Sequence, residues 1–162
     1  MVDTTYVTAS IRSRSSRLGL VVLLTGALFV SSIPTAEPAE AAFEFKPSER
    51  RATRLMNRER VERDIGSLRL RPKLTRLARK HSRTMAAAGT IFHSDLGETV
   101  SGLSWSIAGE NVGMGPTIKG LHRAFMKSPG HRANVLERRY KRVGVGVIQR
   151  DGTIYITILF LG

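Results

Sequence analysis

Val143-Gly144-Val145-Gly146-Val147-Ile148-Gln149-Arg150-Asp151-Gly152-Thr153-Ile154-Tyr155-Ile156-Thr157-Ile158-Leu159-Phe160-Leu161 reads as a β-hairpin. Val143, Val145 and Val147 alternate with glycines, the period of a strand rather than a helix. Gln149-Arg150-Asp151-Gly152 turns the chain. Asp-Gly tolerates the left-handed backbone that a tight hairpin turn requires. A return strand is expected from Thr153 to about Leu161.

Upstream the pattern is helical. Pro47-Ser48-Glu49 opens a helix with Ser48 as expected N-cap. Ala52, Leu55, Met56, Glu59 and Val61 make its stripe, and Gly66 is the expected stop. Arg50, Arg51, Arg54, Arg58 and Arg63 occupy the other face, read as a solvated basic face, the alternative being a dedicated anion-binding face. Leu68 and Leu70 form a short extended link to Pro72. A second helix is expected from Lys73 to Ala88, with Leu74, Leu77, Ala78, His81 and Met85 on one side and Gly89 as its stop. Residues 90–116, rich in Gly, Ser and Thr, read as loop with one short strand near Asn111-Val112. Ile118, Leu121, Phe125 and Met126 mark a third helix, ended by Ser128-Pro129-Gly130, and a short fourth begins near His131. The fold class is α+β, about four helices around a small antiparallel sheet.

Composition narrows the function. With 162 residues the chain holds one globular domain, and its lack of Cys excludes a disulfide scaffold, a thiolate zinc site and a cysteine nucleophile. Lys+Arg number 26 against 13 Asp+Glu, a net charge of +13 that favours anionic partners. Arg12, Arg14 and Arg17 precede an uncharged run, Leu18 to Val30. Those 13 residues suit a signal peptide and fall short of the ~20 needed to span a bilayer. Ala39-Glu40-Ala41 offers a cleavage site before Ala42, the alternative being an uncleaved membrane anchor. Residues 1–41 are therefore expected to be a signal peptide, 42–47 a linker and 48–162 the domain. The expected product is secreted or wall-associated, monomeric and free of membrane spans.

Three segments carry the polar chemistry: Ile91-Phe92-His93-Ser94, Gly109-Glu110-Asn111, and Ser128-Pro129-Gly130-His131-Arg132-Ala133-Asn134. Together with Leu55-Met56-Asn57-Arg58-Glu59-Arg60, Leu77-Ala78-Arg79-Lys80-His81-Ser82 and the terminal hairpin, in that order, they resemble the CAP superfamily. This superfamily covers cysteine-rich secretory, antigen 5 and pathogenesis-related proteins, also called the SCP domain; the chain looks most like its short bacterial secreted branch. The resemblance runs from about Pro47 to Gly162 and implies an α-β-α sandwich with a central cleft. It places His93, Glu110 and His131 at three positions of a two-His, two-Glu tetrad. The region of the second Glu reads Phe125-Met126-Lys127-Ser128, so the tetrad is incomplete, and Thr157-Ile158 stands where similar bacterial proteins often have Thr-Gln.

His93, Ser94, Glu110, Asn111, His131 and Asn134 are the candidate cleft. Two imidazoles and a carboxylate can hold zinc, with His93 and His131 as ligands and Glu110 as third ligand or general base. No His-Glu-x-x-His helix accompanies them. The alternative is structural, with Glu110 accepting hydrogen bonds from loop amides and an imidazole, because a buried carboxylate must be satisfied. His81 reads as a hydrogen-bonded core or boundary histidine, His122 as a surface residue and Trp105 as a core plug. A Ser94-His131-Glu110 triad lacks a Gly-x-Ser-x-Gly elbow.

A non-enzymatic binding module is the favoured function. The resemblance implies small apolar or lipid ligands. The alternatives are a zinc-dependent hydrolase or peptidase, and a basic adhesin for anionic cell-wall polymer or lipid. No cofactor beyond a possible zinc is implied. Nucleic acid is disfavoured, since no helix-turn-helix or zinc finger is present.

Overall fold

The structure is a computed structural model that describes Val2–Thr8, as backbone, and residues 43–162. The Leu18–Val30 run and the cleavage point before Ala42 lie outside the described residues. The elements are β1 (Val2–Thr8), α1 (Pro47–Val61), β2 (Arg69–Leu70), α2 (Pro72–Ala88), α3 (Leu96–Thr99), β3 (Ile107–Gly115), α4 (Ile118–Lys127), α5 (Pro129–Leu136), β4 (Arg142–Arg150) and β5 (Thr153–Leu161).

The hairpin β4–β5 is the centre of a mixed α+β fold. Asp151 and Gly152 adopt φ of 49° and 74°, the left-handed pair that the Asp-Gly turn was expected to need. β3 flanks β5 antiparallel and β2 flanks β4 parallel, and β1 completes the order β1-β3-β5-β4-β2. The parallel pairing covers two residues, so the sheet is otherwise antiparallel as expected. β1 falls within the expected signal peptide. It runs antiparallel along the outer edge of β3, from Val2↔Gly113 to Thr8↔Ile107.

Side-chain alternation divides the core between two faces. Val143, Val145, Val147, Ile156, Ile158 and Phe160 pack on Ala52, Met56, Leu121, Phe125 and Val135 of α1, α4 and α5. On the opposite face Leu159, Leu161 and Ala108 pack on Leu74 and Ala78 of α2. Trp105 packs against this second cluster, as a core plug should. Gly144 and Gly146 explain why α2 lies so close: a Cβ at either would collide with the backbone of Leu74 or Ala78. Those glycines, read from sequence only as strand spacers, let helix backbone touch strand backbone.

Several boundaries differ from expectation. α1 starts at Pro47 with Lys46 as N-cap, not Ser48, because Glu49 Oε2 reaches back to Lys46 N at 2.8 Å. It ends at Val61, and Asp64 (φ 54°), not Gly66, supplies the left-handed residue that reverses the chain. The stretch read as loop contains the nine-residue β3, whose polar Glu110 and Asn111 hide a strand that is buried along most of its length. It also contains the single helical turn α3, capped by Asp95 Oδ1 accepting from Glu98 N at 2.9 Å. Ser128 serves as C-cap of α4 and N-cap of α5.

Two buried ionic residues fasten α1. Glu49, fully buried, accepts from Arg79 Nε and Nη2 at 2.7 Å each and so ties α1 to α2. Arg60, also fully buried, donates from Nε to Gly66 O (2.8 Å), from Nη1 to Val135 O (2.8 Å) and Glu137 O (2.9 Å), and from Nη2 to Tyr140 O (3.0 Å). Burial pushes its pKa down, with Glu137 opposing. Arg60 is thus the joint between α1 and the α5–β4 link.

Candidate functional site

The candidate residues gather along β3, and the strand's alternation splits them. Glu110 shares a face with Ala108 and Val112, toward α2 and α3. Asn111 projects toward α5 on the other face, where its Nδ2 donates to His131 O at 3.1 Å.

On the α2–α3 face Glu110 is fully buried and both of its oxygens are engaged. Oε1 lies 2.7 Å from His93 Nδ1 and accepts from Ser94 N at 3.0 Å, while Oε2 accepts from Ser94 Oγ at 2.8 Å. An ionised carboxylate only accepts, so His93 Nδ1 carries the hydrogen. The Phe92–Ser94 loop is therefore pinned to β3 through one side chain.

On the α5 face Asn134 Nδ2 donates to Asn111 Oδ1 (2.8 Å) and to Glu110 O (3.2 Å), and Asn134 Oδ1 accepts from Tyr140 Oη at 3.4 Å. His131, 2% exposed, has Nδ1 2.7 Å from Ser128 Oγ and its ring centroid 5.2 Å from that of Phe125. The backbone carbonyl of Glu110 links the two clusters. Tyr140, a member of this network, went unnoticed in the sequence because a lone hydroxyl carries no spacing signal, while Ser128 was visible only as part of the segment that holds His131.

A three-ligand zinc site does not fit these residues. Both oxygens of Glu110 are taken up by His93 and Ser94, which leaves the two imidazoles without a carboxylate as third ligand. Among the described residues no group of three His, Asp or Glu side chains is placed to hold a metal ion. The donor set suits a structural carboxylate better than a catalytic metal.

An open groove of about 440 Å³ adjoins the first cluster, between α2 and α3. Leu77, Lys80, His81 and Thr84 form one wall, Phe92, His93, Ser94 and Asp95 the other, and Glu98 and Thr99 one end. Phe92 is 40% exposed. It meets His81 edge-on at 5.3 Å between ring centroids, and His81 Nε2 donates to Phe92 O at 2.8 Å. His81 is thus a boundary histidine that also lines the groove. In the sequence Leu77 was legible as helix stripe, Lys80 only within the Leu77–Ser82 segment and Phe92 only as a neighbour of His93; an aromatic residue in a polar loop was the available signal.

His122 departs from its expected surface role. Its side chain is 10% exposed, with Nε2 3.5 Å from Glu59 Oε1. Burial lowers its pKa from the ordinary imidazole value, with Glu59 opposing. Among the described residues no helix is long and apolar enough to cross a membrane.

The comparisons agree with this layout. YkwD of Bacillus subtilis (strain 168) is 30% identical over 123 residues, covering 70% of this chain and 47% of the relative, so the chain spans about half that protein's length. An extracellular protein containing a SCP domain from Bacillus anthracis superposes with a TM-score of 0.64 at 22% identity, over 70% of this chain and 40% of that one. An outer surface protein of Borrelia burgdorferi gives a TM-score of 0.63 at 15% identity, over 69% of this chain and 90% of that one. These two likenesses show the fold. The family model for the cysteine-rich secretory protein family, CAP, matches residues 53–161, and the chain belongs to that family.

Proposed function

We propose that the chain is an exported, non-enzymatic CAP-domain protein that binds a small ligand with an apolar body and an anionic end in the α2–α3 groove. The supporting observation is the exposed Phe92 in a concave groove of about 440 Å³, a volume typical of small-molecule sites. Leu77 and Phe92 offer apolar surface, and Lys80 offers a cation for a carboxylate or phosphate. His93 and Ser94 form the inner wall, held by Glu110, whose engaged oxygens suit it to holding the wall rather than to abstracting a proton. Export by the N-terminal segment would remove residues 1–41, and with them the β1 strand beside this wall.

Titration of the chain with a fluorescent fatty acid tests the proposal. Phe92→Ser should weaken binding on the order of tenfold, the cost of about one well-buried apolar contact. Among the described residues Lys80 is the groove's one Lys or Arg against Asp95 and Glu98, so Lys80→Gln should weaken the fatty acid and spare the corresponding alcohol. Equal affinities for wild type and Phe92→Ser would place the ligand elsewhere.

A further inference from the structure

A cluster of cationic side chains lies away from this groove, where α1 meets α4. Arg51, Arg54 and Arg58 recur at helical spacing on one face of α1, spanning about 10 Å along its axis. With Leu55 and Lys119, from the first turn of α4, they line a groove of about 300 Å³. A second groove, of about 400 Å³, continues from it and shares Arg51 and Lys119. Among the described residues no carboxylate lines either groove. None of these four cations makes a side-chain hydrogen bond or ion pair with a described residue. The nearby acid, Glu59, is taken up by Arg63 at 2.8 Å and His122 at 3.5 Å.

Several of the chain's other basic side chains are engaged within the fold. Arg60, Arg79, Arg138, Arg139, Arg142 and Arg150 each spend their guanidinium on a carbonyl or carboxylate within the fold. The α1–α4 charges are left to something outside it. Their field is felt locally: His122 is pushed below its ordinary pKa chiefly by burial, and Arg58 adds in the same direction.

We infer that this double groove is a binding site for a flexible linear polymer carrying repeated phosphate groups. Four like charges on facing walls repel one another, and a polyanion threaded between them offsets that repulsion at each step. The concave shape selects a chain over a flat bilayer, which reaches only the rims. Among the described residues no aromatic side chain lines either groove, which removes the stacking platform on which single-stranded nucleic acid depends. The site is independent of the α2–α3 groove.

The test measures binding of long-chain sodium polyphosphate to the full-length chain across a salt series. The groove variant Arg54→Gln, Arg58→Gln, Lys119→Gln is compared with a control, Arg69→Gln, Arg83→Gln, Arg132→Gln, which removes the same charge at exposed sites elsewhere. The groove variant should lose affinity on the order of tenfold or more, with the slope of log K against log salt reduced by about 2. The control should stay within about twofold. Phe92→Ser should bind polyphosphate as wild type does, which separates this site from the ligand groove. Equal losses in the two triple variants would reduce the effect to net charge and overturn the site. So would groove-dependent binding to phosphatidylglycerol vesicles with polyphosphate binding unchanged, which would make the face a lipid surface.

Discussion

His93 Nδ1 and Glu110 Oε1 lie 2.7 Å apart, and the same carboxylate takes the backbone N–H and the hydroxyl of Ser94. Three donors therefore converge on one buried acid. Glu110→Gln replaces one acceptor oxygen with an amide nitrogen that faces a donor. The expected cost is about 2–3 kcal/mol, since hydrogen bonds to a buried charge are the strong ones. Urea unfolding at pH 7 measures it, and a loss below about 0.5 kcal/mol would show that Glu110 does not hold the loop.

The same geometry sets the metal prediction. With both oxygens of Glu110 held by His93 and Ser94, no group of three His, Asp or Glu side chains among the described residues is placed to hold a metal ion. Elemental analysis of the purified chain should find zinc well below one equivalent, unchanged in His93→Ala, His131→Ala. One equivalent in the wild type that disappears in the double variant would restore the hydrolase reading.

Arg60 supplies the third prediction. It donates to Gly66 O, Val135 O, Glu137 O and Tyr140 O from within the core. Arg60→Met keeps the volume and strands these carbonyls, and Arg60→Lys offers a point charge where a planar fork is needed. Each should destabilise by about 3 kcal/mol or more, with Met no better than Lys. Thermal unfolding followed by circular dichroism checks both, and a change of only a degree or two in either would remove Arg60 as the joint.

These residues also show what the sequence could reveal. The hairpin was legible because Val-Gly alternation and Asp-Gly are local signals, and so were α2 and α4 from their stripes and stops. The candidate site residues were legible as three segments in order, but not their division between two faces of β3, since that requires knowing β3 is a strand. Gly, Glu and Asn at Gly109-Glu110-Asn111 have low strand propensity, and tertiary pairing with β5 overrides it. Arg60 was indistinguishable from its neighbours Arg58 and Arg63. Only the carbonyls that surround it, 6 to 80 residues away in the chain, mark it as buried.

Acid should lower the protein's stability in two steps. Burial lowers the pKa of His122 from 6.5, against the opposing pull of Glu59, so the unfolded chain binds more protons just below that value. Its contribution is therefore fully present above pH 6.5 and is lost as pH falls below it. Glu137 is lowered from 4.5 to about 2 by the side-chain and backbone hydrogen bonds from Arg139, so its contribution is lost as pH falls from 4.5 toward 2. With its side chain 23% exposed, solvent screening limits this to about 1 kcal/mol. Urea midpoints across pH should show His122→Gln flattening the upper step and Arg139→Gln the lower. An unchanged profile in either variant would assign that step to another group.

β1 gives the last prediction. Val2–Thr8 pairs with Ile107–Gly113, the strand that carries Glu110 and Asn111, and without it the outer edge of β3 loses its backbone partners. Unpaired edge amides exchange quickly and invite pairing with another chain. In a chain that begins at Ala42, the β3 amides facing β1 should exchange on the order of tenfold faster than in the full-length chain. The amides that β3 shares with β5, from Ala108↔Leu161 to Gly115↔Ile154, should keep their protection, because that pairing is internal to the sheet. Hydrogen–deuterium exchange resolved to single amides reads both sets at once. Loss of protection on the β5 side as well would mean that β1 supports the whole sheet rather than covering one edge. Unchanged exchange on the outer side would mean that the edge is held without it.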